Sequence, residues 1–252
     1  MKYITETFSA GTGKRTQAAV TVCVSLYNYG LLVTNTLESV ARQTLSDLSL
    51  IVVDDCSSDR GPGRVRQWMR SHPDRFVDLR LILKTRNRGL ADTRNLAVHM
   101  AKSPYVFMLD ADNLLYPRCV SRMLDVIRNS RAAMTYCLLE RFGIEQGVMG
   151  MDLWSPDRLA QGNYIDAMTL LDRRILVVSG GFAKMPVPGW EDYDLWCRYA
   201  EMGLKCVRVP EILARYRVHR SSMIQTVNRQ ASKTRTMVRD MKWRHPWLKI
   251  SA

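Results

Sequence analysis

Asp110 and Asp112 stand one residue apart at the end of an apolar run, VFML, that occupies residues 106–109. Two carboxylates this close repel each other, and beside a core they are costly unless something positive sits between them. Asp54 and Asp55 end a second apolar run at residues 48–53, and Glu191 and Asp192 open a third acidic stretch, EDYDLW. Hard divalent cations, Mg²⁺ or Mn²⁺, prefer carboxylate and phosphate oxygens, so a metal–diphosphate is a ligand that makes the paired aspartates tolerable. For Glu191 and Asp192 two readings stand side by side. They are acids favoured at a helix N-terminus, or one of them is a base that takes a proton from a hydroxyl.

Such residues need a scaffold, and the chain alternates in a way that supplies one. Residues 19–26 (AVTVCVSL) form a buried strand by their β-branched run. Residues 31–44 then place Val33, Leu37, Val40 and Ala41 on one helical face. Further strands are expected at 48–55, 79–84 and 105–109, with a short helix through Trp68 and Met69 and a longer one at 89–102. Pro117 suits the first turn of another helix, whose Val120, Met123, Leu124 and Ile127 share a face. Residues 132–140 close this half. The alternation predicts an α/β fold with a mostly parallel central sheet and right-handed crossovers. Ligands of such sheets bind outside the carboxyl ends of the strands. The loop SLYNYG, Asp54-Asp55 and Asp110-Ala111-Asp112 therefore meet at one edge. The second half is less regular, with a hairpin or loop at 140–154, a strand over 173–182 ending at Gly180-Gly181, and a helix over 191–203 carrying Leu195, Trp196 and Tyr199.

The chain has 252 residues, enough for one large core, and a formal net charge of +13. That charge favours anionic partners, or serves solubility alone. Nucleic acid is not expected, because no recognised binding module accompanies the charge. Six cysteines occur without a CxxC, which argues against a zinc site or a disulfide framework and for a reducing compartment. No stretch has the apolar length of a signal peptide or a membrane span. The expectation is a cytoplasmic protein, with peripheral contact at the inner membrane face as an option. AGTGKRT, at residues 10–16, resembles a phosphate loop but has Phe8 where the first glycine belongs and Arg15 at the Ser/Thr position. It reads as part of a flexible arm, residues 1–18.

Three ligands can be set against the acidic edge. NAD would want a carboxylate such as Asp54 after the second strand, but also GxGxxG after the first, and SLYNYG has a single glycine. A phosphohydrolase with an aspartate nucleophile fits LDADN superficially, since it resembles the haloacid dehalogenase pattern, but Leu114 stands where that pattern has Thr or Val. A nucleotide sugar fits best, its diphosphate reaching the aspartates through a divalent ion that also stabilises the leaving group.

VTVCVSLYNYGLLVTNTLESVARQTLSDLSLIVVDDCSSD resembles the opening of a glycosyltransferase family 2 enzyme with a GT-A fold. NRGLADTRNLAVHMAKSPYVFMLDADNLLYP is similar to that family's next segment, which ends in its DxD motif, and GGFAKMPVPGWEDYDLWCRYAEMGLK to its acceptor-side stretch. The resemblance covers roughly residues 19–220. It implies a GT-A domain over 19–228, with nucleotide-sugar binding in 19–140 and acceptor binding in 141–228. It further implies metal-dependent, inverting transfer from a nucleotide sugar, a UDP-sugar in the first instance, to a carbohydrate or lipid-linked acceptor. A nucleotide-sugar-binding subunit without turnover is the alternative from outside the enzymes.

Carried over residue by residue, the resemblance gives Asp55, or less favourably Asp54, to the base, with an Asx turn to Ser57 or Ser58 as the structural alternative. Ser25, Tyr27 and Asn28 would line the base and ribose pocket, although Ser25 stands where the family often has proline. Asp110 would lie near the ribose, with Ala111 beside it, and Asp112 would hold the metal together with His219. Arg94 would steady the nucleotide or the aspartates of the second strand. Asp192 is assigned as the base that deprotonates the acceptor hydroxyl, with Glu191 positioning the acceptor or the loop, and Asp194 as a surface residue. Residues 229–252 carry seven basic residues against one acid, Asp240. This basic tail could lie on an anionic membrane through Trp243 and Trp247, or pack on the domain as a helix.

Overall fold

A computed structural model describes residues 4–10, 17–219 and 231–251. Four parallel strands form the centre: β2 (Val20–Leu26), β3 (Leu48–Asp54), β4 (Leu79–Lys84) and β5 (Tyr105–Asp110). β2 and β3 are Val- and Ile-rich and almost wholly buried, as strands covered on both faces must be. Val22, Val24 and Val52 point into one core with helices α1 (Val33–Ala41), α2 (Gly61–Arg70) and α4 (Cys119–Ser130). Cys23, Ile51 and Val53 point into the other, with α3 (Leu90–Met100) and α7 (Glu191–Glu201).

The sheet runs β1 (Ile4–Ala10), β4, β3, β2, β5, β9 (Leu170–Asp172), β7 (Met134–Gly143), β10 (Cys206–Val218), β6 (Leu114–Leu115), with β8 (Gly147–Met149) paired to β7. Strand order reverses at β2, which lies between β3 and β5. The crevice at the carboxyl ends of β2 and β5 is therefore the topological switch point, where ligands of such sheets bind. Register makes the point concrete, because Ser25 is opposite Asp110 and Leu26 is opposite Asp54.

Beyond β5 the chain adds β6 (Leu114–Leu115), β7 (Met134–Gly143), β8 (Gly147–Met149), β9 (Leu170–Asp172) and β10 (Cys206–Val218). A hairpin at 140–154 is present as the antiparallel β7–β8 pair. β7 crosses the expected division at 140/141, so both halves share one sheet. Two small helices, α5 (Pro156–Leu159) and α6 (Arg173–Val178), complete this half.

Two expectations are corrected. Residues 4–10 are not part of a loose arm. They form β1 (Ile4–Ala10), antiparallel to β4 at the sheet edge. The phosphate-loop look-alike lies outside the described residues from 11 to 16. Residues 173–178 are a helix rather than a strand, because the Asp172 side chain accepts from the backbone N–H groups of Arg174 and Ile175 and starts a turn that outweighs the β-branched pair Val177-Val178. Of the two readings of the basic C-terminal stretch, the structure shows the helix packed on the domain. Helix α8 (Ala231–Arg244) buries Met237, Val238 and Met241, and Leu248 and Ile250 join the same core. All six cysteines are free, and five of them are buried. Among the described residues, no helix is long and apolar enough to cross a membrane.

Candidate active site

The loop after β2 and the turn after β3 are built on each other. Asn28 adopts a left-handed backbone, φ +58°, and its N–H donates to Ser57 Oγ at 2.9 Å. Its side-chain oxygen accepts from the Ser58 N–H at 2.8 Å. Asp59 accepts from the N–H groups of Gly30 at 2.7 Å and Gly61 at 2.8 Å. A Cβ on Gly30 would meet the Gly61 backbone nitrogen at 2.6 Å, so this approach requires glycine. Ser25 lies half-buried at the end of β2, and Tyr27 is 46% exposed at the rim.

The two aspartates at the end of β3 divide their tasks. Asp54, not Asp55, makes the Asx-type turn, accepting from the Ser57 N–H at 3.0 Å. The other oxygen of Asp54 is buried without a partner, and burial pushes its carboxyl above the usual range. Asp55 is tied to the β4–α3 loop. It accepts from the N–H of Arg88 at 2.9 Å and of Gly89 at 2.8 Å, and pairs with buried Lys84 at 2.5 Å. A carboxylate has about four acceptor directions, so Asp55 keeps capacity for one more donor. Asp92 is the second anion on Lys84, at 2.9 Å.

At the end of β5, Asp110 receives the Arg94 guanidinium at 2.9 Å, and the other arm of Arg94 reaches Glu191 at 2.7 Å. Arg94 is 3% exposed and lies over the Phe182 ring. Its ion pairs are therefore with these two carboxylates rather than with the β3 aspartates. It clasps the end of β5 to the start of α7. Ala111 is buried, and its carbonyl accepts from Thr36 Oγ1 at 2.9 Å. Neither aspartate caps α4, whose N-cap is Arg118.

Asp112 lies 3.0 Å from His219 Nε2, although the two are 107 positions apart in sequence. Arg217, two residues before the histidine, donates to the Asp112 carbonyl at 2.9 Å and fixes that pairing. Burial and the Asp110 charge push the Asp112 carboxyl up, so the site favours a cation beside it. Among the described residues, no three His, Cys, Asp or Glu side chains are grouped to hold a metal ion by themselves. A Mg²⁺ or Mn²⁺ that takes one or two protein ligands and completes its shell with substrate phosphates and water does not need such a group. Asp112 and His219 fit that requirement.

Helix α7 carries the third acidic pair into the same cleft. Its N-cap, Trp190, has φ +67°, an uncommon conformation for a bulky residue, directly after Gly189 at φ +105°. Glu191 is buried and committed to Arg94, so it positions the start of the helix. Asp192 is half-buried, accepts from Asn163 Nδ2 at 3.2 Å, and is pushed up to about 6 by burial and by the neighbouring Glu191 charge. Asp194 is not on the surface. It is buried and paired with Arg198 and His245, and these partners outweigh its burial and hold its carboxyl low.

Several site residues escaped the sequence reading. Asp166 is pushed up to about 7, first by burial and then by the Asp110 charge, with Asp192 adding to it. The Tyr216 hydroxyl is raised by burial and by the charges of Asp166, Asp110, Asp112 and Asp192, and the Tyr29 hydroxyl by burial and by Asp112 and Asp110. Tyr29 also packs edge-on against His219. Asn95 holds the glycine turn, accepting from the Phe182 N–H at 2.8 Å and donating to its carbonyl at 2.7 Å. A Cβ on Gly181 would lie 2.5 Å from Asn95 Oδ1, which accounts for that glycine. Carboxylates from both halves of a basic chain thus surround one crevice.

The sequence profile described as "Glycosyl transferase family 2" matches residues 21–186. The chain is 24% identical over 210 residues to the UDP-Glc:alpha-D-GlcNAc-diphosphoundecaprenol beta-1,3-glucosyltransferase WfaP of Escherichia coli, covering 81% of this chain and 79% of that protein. It is 28% identical over 189 residues to the protein y4gI of Sinorhizobium fredii, covering 72% of this chain but only 20% of that relative's length. Among solved structures, the mannosyltransferase PcManGT from Pyrobaculum calidifontis in complex with GDP-Man and Mn²⁺ superposes with a TM-score of 0.69 at 22% identity. That alignment covers 92% of this chain and 66% of the other, and it identifies the fold as GT-A-like. The profile match ends before α7, so the roles of Glu191 and Asp192 rest on geometry.

Proposed function

Because the chain belongs to glycosyl transferase family 2, we propose that it transfers a sugar, with inversion, from a nucleoside-diphosphate donor to a hydroxyl of a carbohydrate or lipid-linked acceptor. The relative from Escherichia coli is named for a UDP-sugar and a diphosphoundecaprenol acceptor, and this supports a UDP-sugar donor and a lipid-linked acceptor here. The observation that carries the reading is the Arg94 clasp, which brings a raised carboxylate on α7 to the crevice that holds Asp110, Asp112 and His219.

In this mechanism the donor base and ribose lie against the 25–28 loop and the β3 aspartates. Asp112 and His219 face the diphosphate and would hold Mn²⁺ or Mg²⁺. When bound, that ion would neutralise charge on the departing diphosphate. Asp192 takes the acceptor proton as the hydroxyl attacks the anomeric carbon from the face opposite the diphosphate. A carboxyl raised to about 6 is a stronger base than an ordinary aspartate yet is still ionised at pH 7.

The test is calorimetric titration with UDP, UDP-sugars and GDP-sugars, with and without Mn²⁺, followed by NMR of the anomeric centre of the product. Metal-dependent binding of a nucleotide sugar and an inverted product are expected. Release of phosphate from simple esters without an acceptor would restore the phosphohydrolase alternative, and binding without turnover the silent subunit. Asp112→Ala is expected to weaken UDP binding only when Mn²⁺ is present, by roughly tenfold or more, as losses around metal sites typically do. Unchanged affinity with Mn²⁺ would remove Asp112 from the metal site.

The proposed membrane contact narrows to one helix face. Arg235, Arg239 and Lys242 are exposed on α8 together with Trp243, 80% exposed, whereas Trp247 donates to Glu201 and packs on the core. Co-sedimentation with phosphatidylglycerol-containing vesicles but not with phosphatidylcholine vesicles is expected, and Arg235→Glu with Arg239→Glu should abolish it. Equal recovery with both vesicle types would remove this contact.

A further inference from the structure

The C-terminal segment is joined to the helix that bears the proposed base through a buried chain of charges. His245, 2% exposed, places Nδ1 2.7 Å from Glu201 Oε1 and Nε2 3.3 Å from Asp194 Oδ1. Both partners belong to α7, and Asp194 is two residues from Asp192. The opposite edge of Asp194 is gripped by Arg198 through Nε at 2.9 Å and Nη2 at 2.8 Å. Arg198 also donates through Nη1 and Nη2 to the carbonyls of Ser179 and Gly181, the turn that Asn95 holds from the other side. Arg244 adds a second cation to Asp194 at 3.6 Å, and Trp247 shares Glu201 at 2.7 Å.

A neutral imidazole has one N–H, and ionised carboxylates only accept, so a neutral His245 could satisfy one of its two partners. We infer that His245 is held as a buried imidazolium, and that with Asp194 and Arg198 it forms a positioning network through which residues 231–251 fix the first turn of α7 and hence the direction of Asp192. The profile match stops at residue 186, short of every member of this network. The inference rests on Asp192 being the base.

The groups facing His245 are Asp194 and Glu201 from α7 and Arg244 and Trp247 from its own segment, and the carboxylates raise its proton affinity against the opposing effect of burial. With the folded value above the unfolded one, the contribution of this contact is complete below about pH 6.5 and is lost as pH rises through the raised value.

The experiment has two arms. In the first, NMR of ¹³C-labelled histidine in the full chain should show His245 titrating above the ordinary range. Titration at or below that range overturns the inference and is independent of any activity. In the second, His245→Gln should lower kcat roughly 10- to 100-fold, as small misplacements of a catalytic group do, with UDP–Mn²⁺ affinity unchanged. Wild-type kcat should also fall on the alkaline side as the imidazolium is lost. A variant with wild-type kcat, or one that loses UDP affinity in proportion, overturns the positioning role. If Asp192→Asn keeps its activity the base assignment fails, and the histidine titration still reports on the network.

Discussion

Replacing Asp192 with asparagine is expected to lower transfer by roughly 10²- to 10⁴-fold, the usual contribution of a general base, while UDP affinity stays as in the wild type. Asparagine keeps the shape and can still accept from Asn163, which contacts Asp192 at 3.2 Å, so the change isolates proton abstraction from packing. The pH profile gives a second reading of the same group. Burial and the Glu191 charge push the Asp192 carboxyl up to about 6, so the ionised form is lost below that pH and kcat should fall about tenfold per unit there. Steady-state kinetics over pH 5–8 with saturating donor measure both. A variant with wild-type kcat would move the base elsewhere, and Asp166, also raised and close to Asp192, is the carboxylate to try next.

The largest stability effect is expected at Arg94. Its guanidinium is the shared counter-charge of Asp110 and Glu191, and alanine would leave both carboxylates facing a cavity under Phe182. Removing one partner from a buried ion pair costs about 3–5 kcal/mol. At about 2–4 °C per kcal/mol for a chain of this size, the melting midpoint should fall by roughly 10 °C. Lysine should recover only part of this, because a point charge cannot reach two carboxylates as a planar fork does. Thermal unfolding followed by circular dichroism checks it. A midpoint within about 2 °C of wild type would mean that the clasp contributes little. Transfer should suffer as well, since the same clasp sets where α7 begins.

The central sheet was legible because its strands are short, largely apolar runs, richest in β-branched residues in β2 and β3, with helical spacing between them. Once those strands were in place, the crevice at the ends of β2, β3 and β5 followed from topology alone. The 173–182 stretch was misread because Leu176, Val177 and Val178 look like a buried strand. A single capping side chain, Asp172, decided otherwise, and nothing in hydrophobic pattern reports a cap of that kind reliably. β1 was missed because Glu6 interrupts the alternation between Ile4 and Phe8.

Within the site, DxD and the ED pair announced themselves by spacing, and Asp112 and His219, which only the family resemblance linked, lie 3.0 Å apart. Arg94 gave no sign of being a bridge, since its partners lie 16 and 97 positions away. Asp166 sits in an irregular loop without a motif. Tyr29 had a weak signal, being the second tyrosine of SLYNYG. Asp194 was read as surface because His245 meets it only when the C-terminal segment folds back, and the i,i+4 spacing to Arg198 on the same helix does not by itself report burial.

β1 has a consequence for the solution behaviour of the molecule. β4 is an inner strand only because residues 4–10 lie along it in antiparallel register, from Ile4 opposite Lys84 to Ala10 opposite Leu79. Without that cover its unpaired amide and carbonyl groups would offer a docking template to any other extended chain, another copy of this protein included. Residues 4–10 thus guard against self-association, and the strand they cover ends in Lys84, whose buried ammonium anchors Asp55.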